Sequence, residues 1–220
     1  MMTQTHTLVA AALLTSPARS ARQNGAILLG SFIPDIAVYG LFIWSKFAGI
    51  PERRIWREIY FSEPMLTYTA IANSLPLYLV ILLIGIFLAR QNFNTEPVSA
   101  VAKSSNDHGY KKYWLLATSS ILGLFAIAAI THLVGDFPVH AHDAHPHFWP
   151  FTDWRFHSPI SYWDRRNYGD TFRYFEGAFG VILSIILFRR FKAKWVRVAA
   201  VIGVLAYVAV PLYFFLGLGR

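Results

Sequence analysis

His and Asp side chains at one point in the sequence have the types and spacing of a metal site. His132 and Asp136 are four residues apart at the end of an apolar run, so a helix would place both on one face. An imidazole nitrogen beside a carboxylate oxygen suits a divalent ion, with zinc favoured and manganese the alternative. A local hydrogen bond or ion pair between the two side chains is the simpler interpretation of the same spacing.

A histidine-rich segment follows directly. Four of the eight histidines lie within residues 140–147, and such a density is typical of metal-binding segments. His140 and His142 are nearest to the first pair in sequence, so we predict that they are further ligands. Asp143 and His145 are then the candidate general bases. A solvated or pH-sensitive loop is the alternative interpretation.

A carboxylate also interrupts an apolar run near the start of the chain. Asp35 ends the segment GSFIPD, and a charged side chain within the membrane is costly and marks a functional site by default. If helices on both sides of a turn near residue 20 pack against each other, His6 and Asp35 come level, because both helices rise equally per residue. We therefore predict that they share the metal site. Alternatively, Asp35 caps a helix that restarts after Pro34.

Long apolar runs surround these residues. Hydrophobic residues make up 55% of the 220, charged residues only 15%, and the mean hydropathy is +0.40. A helix needs about 20 apolar residues to cross a bilayer. The sequence therefore predicts an all-α, multi-pass membrane bundle that forms a single domain over residues 1–220. We expect a short N-terminal helix over 5–16 and five membrane helices over 24–46, 67–89, 113–135, 173–189 and 196–218.

Composition also excludes several classes of protein. The chain has no cysteine, so disulfide frameworks, thiolate zinc sites and cysteine nucleophiles are ruled out. The net charge of +8 does not indicate nucleic acid, because the basic residues lie in short loops between apolar runs, where membrane proteins keep them. Membrane lipids are the predicted partners. A polar linker is expected over 91–108.

The segment 137–172 combines the histidines with many aromatic residues. Trp, Phe and Tyr are enriched at the headgroup level of a bilayer, so we predict a structured loop at the membrane interface. This loop would serve either as a membrane anchor or as a lid that covers the metal site and binds a lipidic substrate.

Three elements of the sequence resemble a known family. They are Thr5-His6 at the start of an apolar helix, GSFIPD at 30–35 and THLVGD at 131–136. In this order they resemble the prokaryotic membrane-bound metal-dependent hydrolase family and, more remotely, the bacterial zinc-dependent phospholipase C proteins. The resemblance implies a hydrolase of the bacterial cytoplasmic (inner) membrane, with a metal held by His6, Asp35, His132 and Asp136.

The chain departs from that family at one element. The family commonly carries a His-Arg…His element between its second and third motifs, whereas residues 37–130 contain only His108. Histidines of the 140–147 segment could replace the missing ligands. Otherwise the site binds one metal rather than two, or has a different role.

Three functions follow as hypotheses. The first is a membrane-embedded, divalent-metal-dependent hydrolase that acts on a lipid or lipid-linked phosphoester. The second is a metal or proton transporter, in which Asp35, Glu176 and the histidines form a relay. The third is a non-catalytic subunit of a larger membrane complex, in which the polar loop is a docking surface.

Overall fold

The computed structural model describes residues 1–95 and 109–215. Within these residues the regular elements are all helical and no strand occurs, which confirms the all-α fold class. The predicted linker over 91–108 begins inside a helix that extends to Thr95, and its remainder, 96–108, lies outside the described residues.

The N-terminal third begins with a packed pair of helices. Helix α1, Thr3–Leu14, contacts helix α2, Ala21–Phe32, close to the bounds predicted for the short N-terminal helix. The start of α2 is fixed by a capping box, in which the Ser20 hydroxyl accepts from the Gln23 backbone N–H and the Gln23 side chain accepts from the Ser20 N–H. This turn folds α1 back onto α2, as the argument for His6 and Asp35 requires.

The first predicted span is a helix with one irregular turn. Helix α2 continues through a 3₁₀ turn, Ile33–Asp35, into helix α3, Ile36–Phe47. Pro34 lies in this turn, where its missing backbone N–H and fixed φ break the regular pattern of helix hydrogen bonds. A short helix, Glu52–Arg54, and a π-helical turn, Ile55–Ile59, follow.

The second predicted span is broken, which corrects the continuous helix expected over 67–89. Helix α4, Glu63–Ala72, ends before Asn73, and helix α5 is Leu75–Thr95. The Asn73 side-chain amide and the Ser74 hydroxyl donate to backbone carbonyls of other segments. The run is free of charge, so its hydropathy does not reveal this break.

The helix expected over 113–135 is also divided. Helix α6 is Gly109–Ser119, and helix α7 is Ile121–Asp136. Ser120 has an extended backbone, and its hydroxyl accepts from the Gly123 N–H at 3.2 Å. This N-cap satisfies an otherwise unpaired donor at the start of α7, which accounts for the break.

Two long helices complete the described chain. They are α8, Gly169–Arg190, and α9, Lys194–Phe215, and they pack against each other. Both begin earlier than predicted, and residues 216–218 of the last predicted span lie outside the described residues. Three stretches are long and apolar enough to cross a membrane: Ala21–Phe47, Glu63–Gln91 and Gly169–Arg190. Helix α7 is apolar but shorter, and the count of five spans stays a prediction.

Helix α7 lies between the other elements and contacts α1, α2, α5 and α6. Its approach to α2 is close: a Cβ added to Gly30 would lie 2.2 Å from the Phe125 carbonyl oxygen. Glycine at this position therefore lets the backbone of α2 touch that of α7. After α7, residues 137–168 contain no α-helix, and their placement at the membrane interface stays a prediction.

Candidate metal centre

The last turn of α7 holds the first pair of predicted ligands. His132 and Asp136 are both buried, and His132 Nε2 lies 3.0 Å from Asp136 Oδ2. The helix therefore places them on one face, as their spacing of four residues predicted.

Helix α1 adds the third member of this group. His6 Nε2 lies 2.7 Å from Asp136 Oδ1, and the rings of His6 and His132 stack with centroids 3.7 Å apart. Gly135 makes room for this contact, because a Cβ there would lie only 3.0 Å from His6 Cε1. His6, His132 and Asp136, here the helix group, each offer a ligand atom within 4.8 Å of the others.

Asp35 lies at the edge of the helix group. Its Oδ1 is 3.6 Å from His132 Nε2, and its Oδ2 accepts a hydrogen bond from the Thr3 hydroxyl. The tertiary structure thus brings the N-terminal pair, His6 and Asp35, to the end of α7. Asp35 is the last residue of the 3₁₀ turn, and its side chain is partly exposed.

A second group forms where the histidine-rich loop meets the same carboxylate. His140 Nε2 lies 3.2 Å from Asp136 Oδ1, and the rings of His140 and His145 are 5.0 Å apart at their centroids. Asp136, His140 and His145, here the loop group, also offer ligand atoms within 4.8 Å of one another. The structure therefore places His145, predicted as a base, among the candidate ligands.

Hydrogen bonds from other residues hold two of the rings. His132 Nδ1 lies 2.6 Å from the Ser31 carbonyl oxygen, and His140 Nδ1 lies 3.0 Å from Asp143 Oδ2. Metal-binding histidines usually donate their second ring N–H to a carbonyl or carboxylate in this way. Both rings thereby turn Nε2 toward Asp136.

The contacts of these two rings can be satisfied either by hydrogen bonds or by a metal. Each ring has an acceptor oxygen at both of its nitrogens, so without an ion His132 and His140 each donate from two N–H groups as a positively charged imidazolium. A cation at Nε2 would leave each imidazole neutral, with one proton on Nδ1. The residues present therefore fit a divalent ion.

The ionisable side chains of the loop have pKa values shifted in different directions. Burial disfavours protonated His140, but the carboxylates of Asp136 and Asp143 outweigh it and raise its pKa to about 9. Burial and the neighbouring His140 lower the pKa of His145 to about 3, so this ring is neutral and has a free lone pair. Burial opposes ionisation of Asp143, yet hydrogen bonds from His140 and Trp163 lower its pKa to about 2.

The roles of Asp143 and His145 as general bases stay predictions. In the structure Asp143 orients His140, and the Trp163 indole N–H donates to the same carboxylate at 2.9 Å.

His142 is the predicted ligand that the structure does not bring to the centre. Its side chain is 66% exposed, and its Nε2 lies 3.9 Å from Asp164 Oδ2, away from both groups. Its support was the density of histidines in the segment and its proximity in sequence to His132 and Asp136, and the loop turns it outward.

Sequence reasoning missed the groups that support the ligands. The Ser31 carbonyl, the Thr3 hydroxyl and the Trp163 indole have no signal in a single sequence, because each acts across a long sequence separation. His147 was grouped with the others by composition, but its Nδ1 bonds the Asn73 carbonyl oxygen at 3.2 Å and so ties the loop to the break between α4 and α5.

A pocket of about 420 Å³ opens beside the centre. Four charged or ligand residues reach its wall, and most of the remaining surface is apolar. The charged or candidate-ligand residues are Asp35, His140, Asp143 and His145; the aromatic ones are Tyr39, Phe42, Trp56, Tyr60, Phe61, Tyr162 and Trp163.

No family model, curated protein or solved structure matches this chain. The proposed function therefore depends on the geometry of the centre and on the pocket beside it.

Proposed function

We propose that this protein is a membrane-embedded hydrolase that depends on a divalent metal and cleaves a lipid or lipid-linked phosphoester. The observation that carries the proposal is the pair of buried His/Asp groups that share Asp136 and border an aromatic pocket. Zinc is the favoured ion and manganese the alternative, because the candidate ligands are imidazole nitrogens and carboxylate oxygens.

The site would lie in a multi-pass protein of the bacterial inner membrane. Three helical stretches long and apolar enough to span a bilayer support this location. Exposed aromatic side chains on the loop, including Phe151 at 83% and Trp154 at 51%, suit the headgroup region. A lipidic substrate could then enter the pocket from the membrane without crossing water.

The chain's own residues would hold, orient and shield the reacting groups. Ser31 and Asp143 fix the tautomers of the two ligand rings, and the aromatic wall would exclude water and hold an apolar chain. Burial raises the pKa of the Tyr60 and Tyr162 hydroxyls, so both keep their protons and can donate to a phosphoryl oxygen. A divalent ion at this site would activate water at neutral pH and polarise the phosphoryl group.

The test is hydrolysis of phospholipids and polyprenyl phosphoesters by the full chain purified in detergent. We expect activity that is lost on chelation, restored by zinc or manganese, and lost again in His132→Ala. His142→Ala is the matched control, because it removes an exposed histidine from the neighbouring loop and should keep activity. A metal-replete wild-type protein with no activity on either class of lipid would refute the proposal.

One observation favours a transporter as the second candidate. Glu176 is buried in α8, a candidate span, and its Oε2 has no hydrogen-bond partner among the described residues. An intramembrane carboxylate of this kind is typical of ion pathways. Metal or proton flux into liposomes that is abolished by Glu176→Gln, with no lipid hydrolysis, would favour this function over the first.

A further inference from the structure

Asp136 belongs to both groups of candidate ligands, the helix group and the loop group. We infer that the centre holds two divalent ions at once, with the carboxylate of Asp136 as the ligand that bridges them. The inference rests on the metal dependence of the proposed function, but it does not require that the protein hydrolyse anything.

The contacts at Asp136 are short enough for shared ligation. Two ligand atoms on one tetrahedral zinc, each about 2.0 Å from it, lie about 3.3 Å apart. Around Asp136, His132 Nε2 lies 3.0 Å from Oδ2, while His6 Nε2 and His140 Nε2 lie 2.7 and 3.2 Å from Oδ1. The N-terminal ammonium of Met1 also lies 2.8 Å from Oδ1, and an ion at that oxygen would displace it. A carboxylate has two oxygens with about four lone-pair sites, enough to serve two ions.

The candidate ligands form two groups rather than one. His6 and His132 come together with Asp136, and His140 and His145 come together with the same carboxylate, within 4.8 Å in each group. The five residues do not form a single set at that spacing among the described residues. One ion therefore cannot bind all of them, whereas two ions with a common carboxylate can.

Each group also has its own support. The Ser31 carbonyl holds His132 in the helix group, and the Asp143 carboxylate holds His140 in the loop group. Such partners fix ring orientation and raise ligand basicity, and they normally accompany real ligands. Because His132 and His140 are oriented by different residues, the position of one ring does not follow from the position of the other.

Two buried atoms in the centre lack a partner. Asp143 Oδ1 and His6 Nδ1 make no hydrogen bond within the part of the chain that the structure describes. An unpaired buried carboxylate oxygen is costly, and here it lies on a residue that already contacts a ligand of the loop group. A cation in the loop group would compensate its charge.

A second ion also changes which substrates the centre favours. Each divalent ion adds two positive charges beside the carboxylates of Asp35, Asp136 and Asp143. A two-ion centre therefore attracts a singly charged phosphodiester more strongly than a one-ion centre does. Two metals about 3.5–4 Å apart commonly bind such a group between them.

The test is metal content per chain. Full-length protein in detergent is stripped with a chelator, loaded with excess zinc, desalted and measured by elemental analysis. We expect two ions in the wild type, one in His6→Ala and one in His145→Ala, because each variant removes a ligand from only one group. His142→Ala should retain two.

A second measurement avoids dependence on variants that fail to fold. Wild-type protein loaded with Mn²⁺ is examined by electron paramagnetic resonance, where two ions bridged by a carboxylate are magnetically coupled. The coupled spectrum supports the inference, and an isolated-ion spectrum with one Mn²⁺ per chain at saturation overturns it. One zinc per chain in the wild type overturns it as well.

These readouts are separate from catalysis. Two coupled ions without lipid hydrolysis leave the inference standing and refute the proposed function. Hydrolysis by a protein with one ion per chain does the reverse.

Discussion

The two halves of the candidate metal centre, the helix group and the loop group, are built differently. The helix group is set by packing of regular elements, since His6 comes from α1 and both His132 and Asp136 come from α7. The loop group takes His140 and His145 from a segment without α-helix. The candidate ligands of the first group are therefore held by the packing of the bundle, while those of the second depend on the contacts that hold the loop.

Those loop contacts converge on the break between α4 and α5. The Leu75 N–H donates to the His147 carbonyl oxygen at 2.8 Å, and the Ser74 hydroxyl donates to the Trp149 carbonyl oxygen at 2.6 Å. A continuous helix would have used these groups internally. The break therefore leaves polar groups free to bond the loop and hold it beside α7. Because the helix group and the loop group are held by different contacts, a substitution that removes one set of contacts should affect only that group.

The largest effect is expected where the two halves meet. Asp136→Asn removes the charge common to both groups while keeping the size of the side chain. Metal stabilisation of a transition state is worth several kcal/mol, so we expect hydrolysis to fall by about a thousandfold and metal content to approach zero. Activity and elemental analysis on one sample measure this.

Asp153→Asn is the control for that change, because Asp153 lies exposed in the same loop segment. It should match the wild type. Retention of both ions in Asp136→Asn would contradict a shared carboxylate.

The contact between α2 and α7 beside the helix group should be weakened when a larger residue replaces Gly30. In Gly30→Ala the new Cβ would lie 2.2 Å from a backbone oxygen of α7. Neither backbone can move without separating the helices, so we expect a loss of about 3 kcal/mol in the free energy of unfolding. Chemical denaturation in detergent measures it.

Gly25→Ala on the same helix has open space around its Cβ and should be neutral or slightly stabilising. If both variants unfold alike, close packing of α2 on α7 does not contribute to the stability of the bundle.

Metal binding at the loop group alone should weaken when His140 loses the carboxylate that orients its ring. Asp143→Asn removes the charged acceptor of His140 Nδ1 but leaves the ligands themselves intact. Loss of such a partner typically costs about 10–100-fold in metal affinity, here for the loop group alone. Competition with a metal-binding dye measures the two affinities, and an equal loss at both groups would contradict the division between them.

The smallest expected effect is the pH dependence of metal affinity at the loop group, where protons compete with the ion. With a pKa of about 9, His140 carries a proton at neutral pH that an ion must displace, whereas His145, with a pKa of about 3, does not. Loop-group affinity should therefore rise about tenfold per pH unit between pH 6 and 8. Mn²⁺ titrations in His6→Ala isolate that group, and a flat profile would show that His140 is not a ligand.

Several parts of this molecule follow from its sequence because they depend on local patterns. Apolar runs indicate helices, a spacing of four residues places His132 and Asp136 on one face, and turn chemistry near residue 20 folds α1 back. These inferences depend on helix periodicity and chain reach, which need no knowledge of distant residues.

The breaks and the second group depend on contacts that only the folded chain creates. The Ser74 hydroxyl donates to a carbonyl of the distant loop, and the Ser120 hydroxyl caps the start of α7. Both serines therefore lie outside helices, and a hydropathy profile does not indicate either break. His142 and His145 are equally suitable ligands by composition. Tertiary structure alone buries one against Asp136 and turns the other outward, because the path of an irregular loop is set by hydrogen bonds to segments far away in sequence.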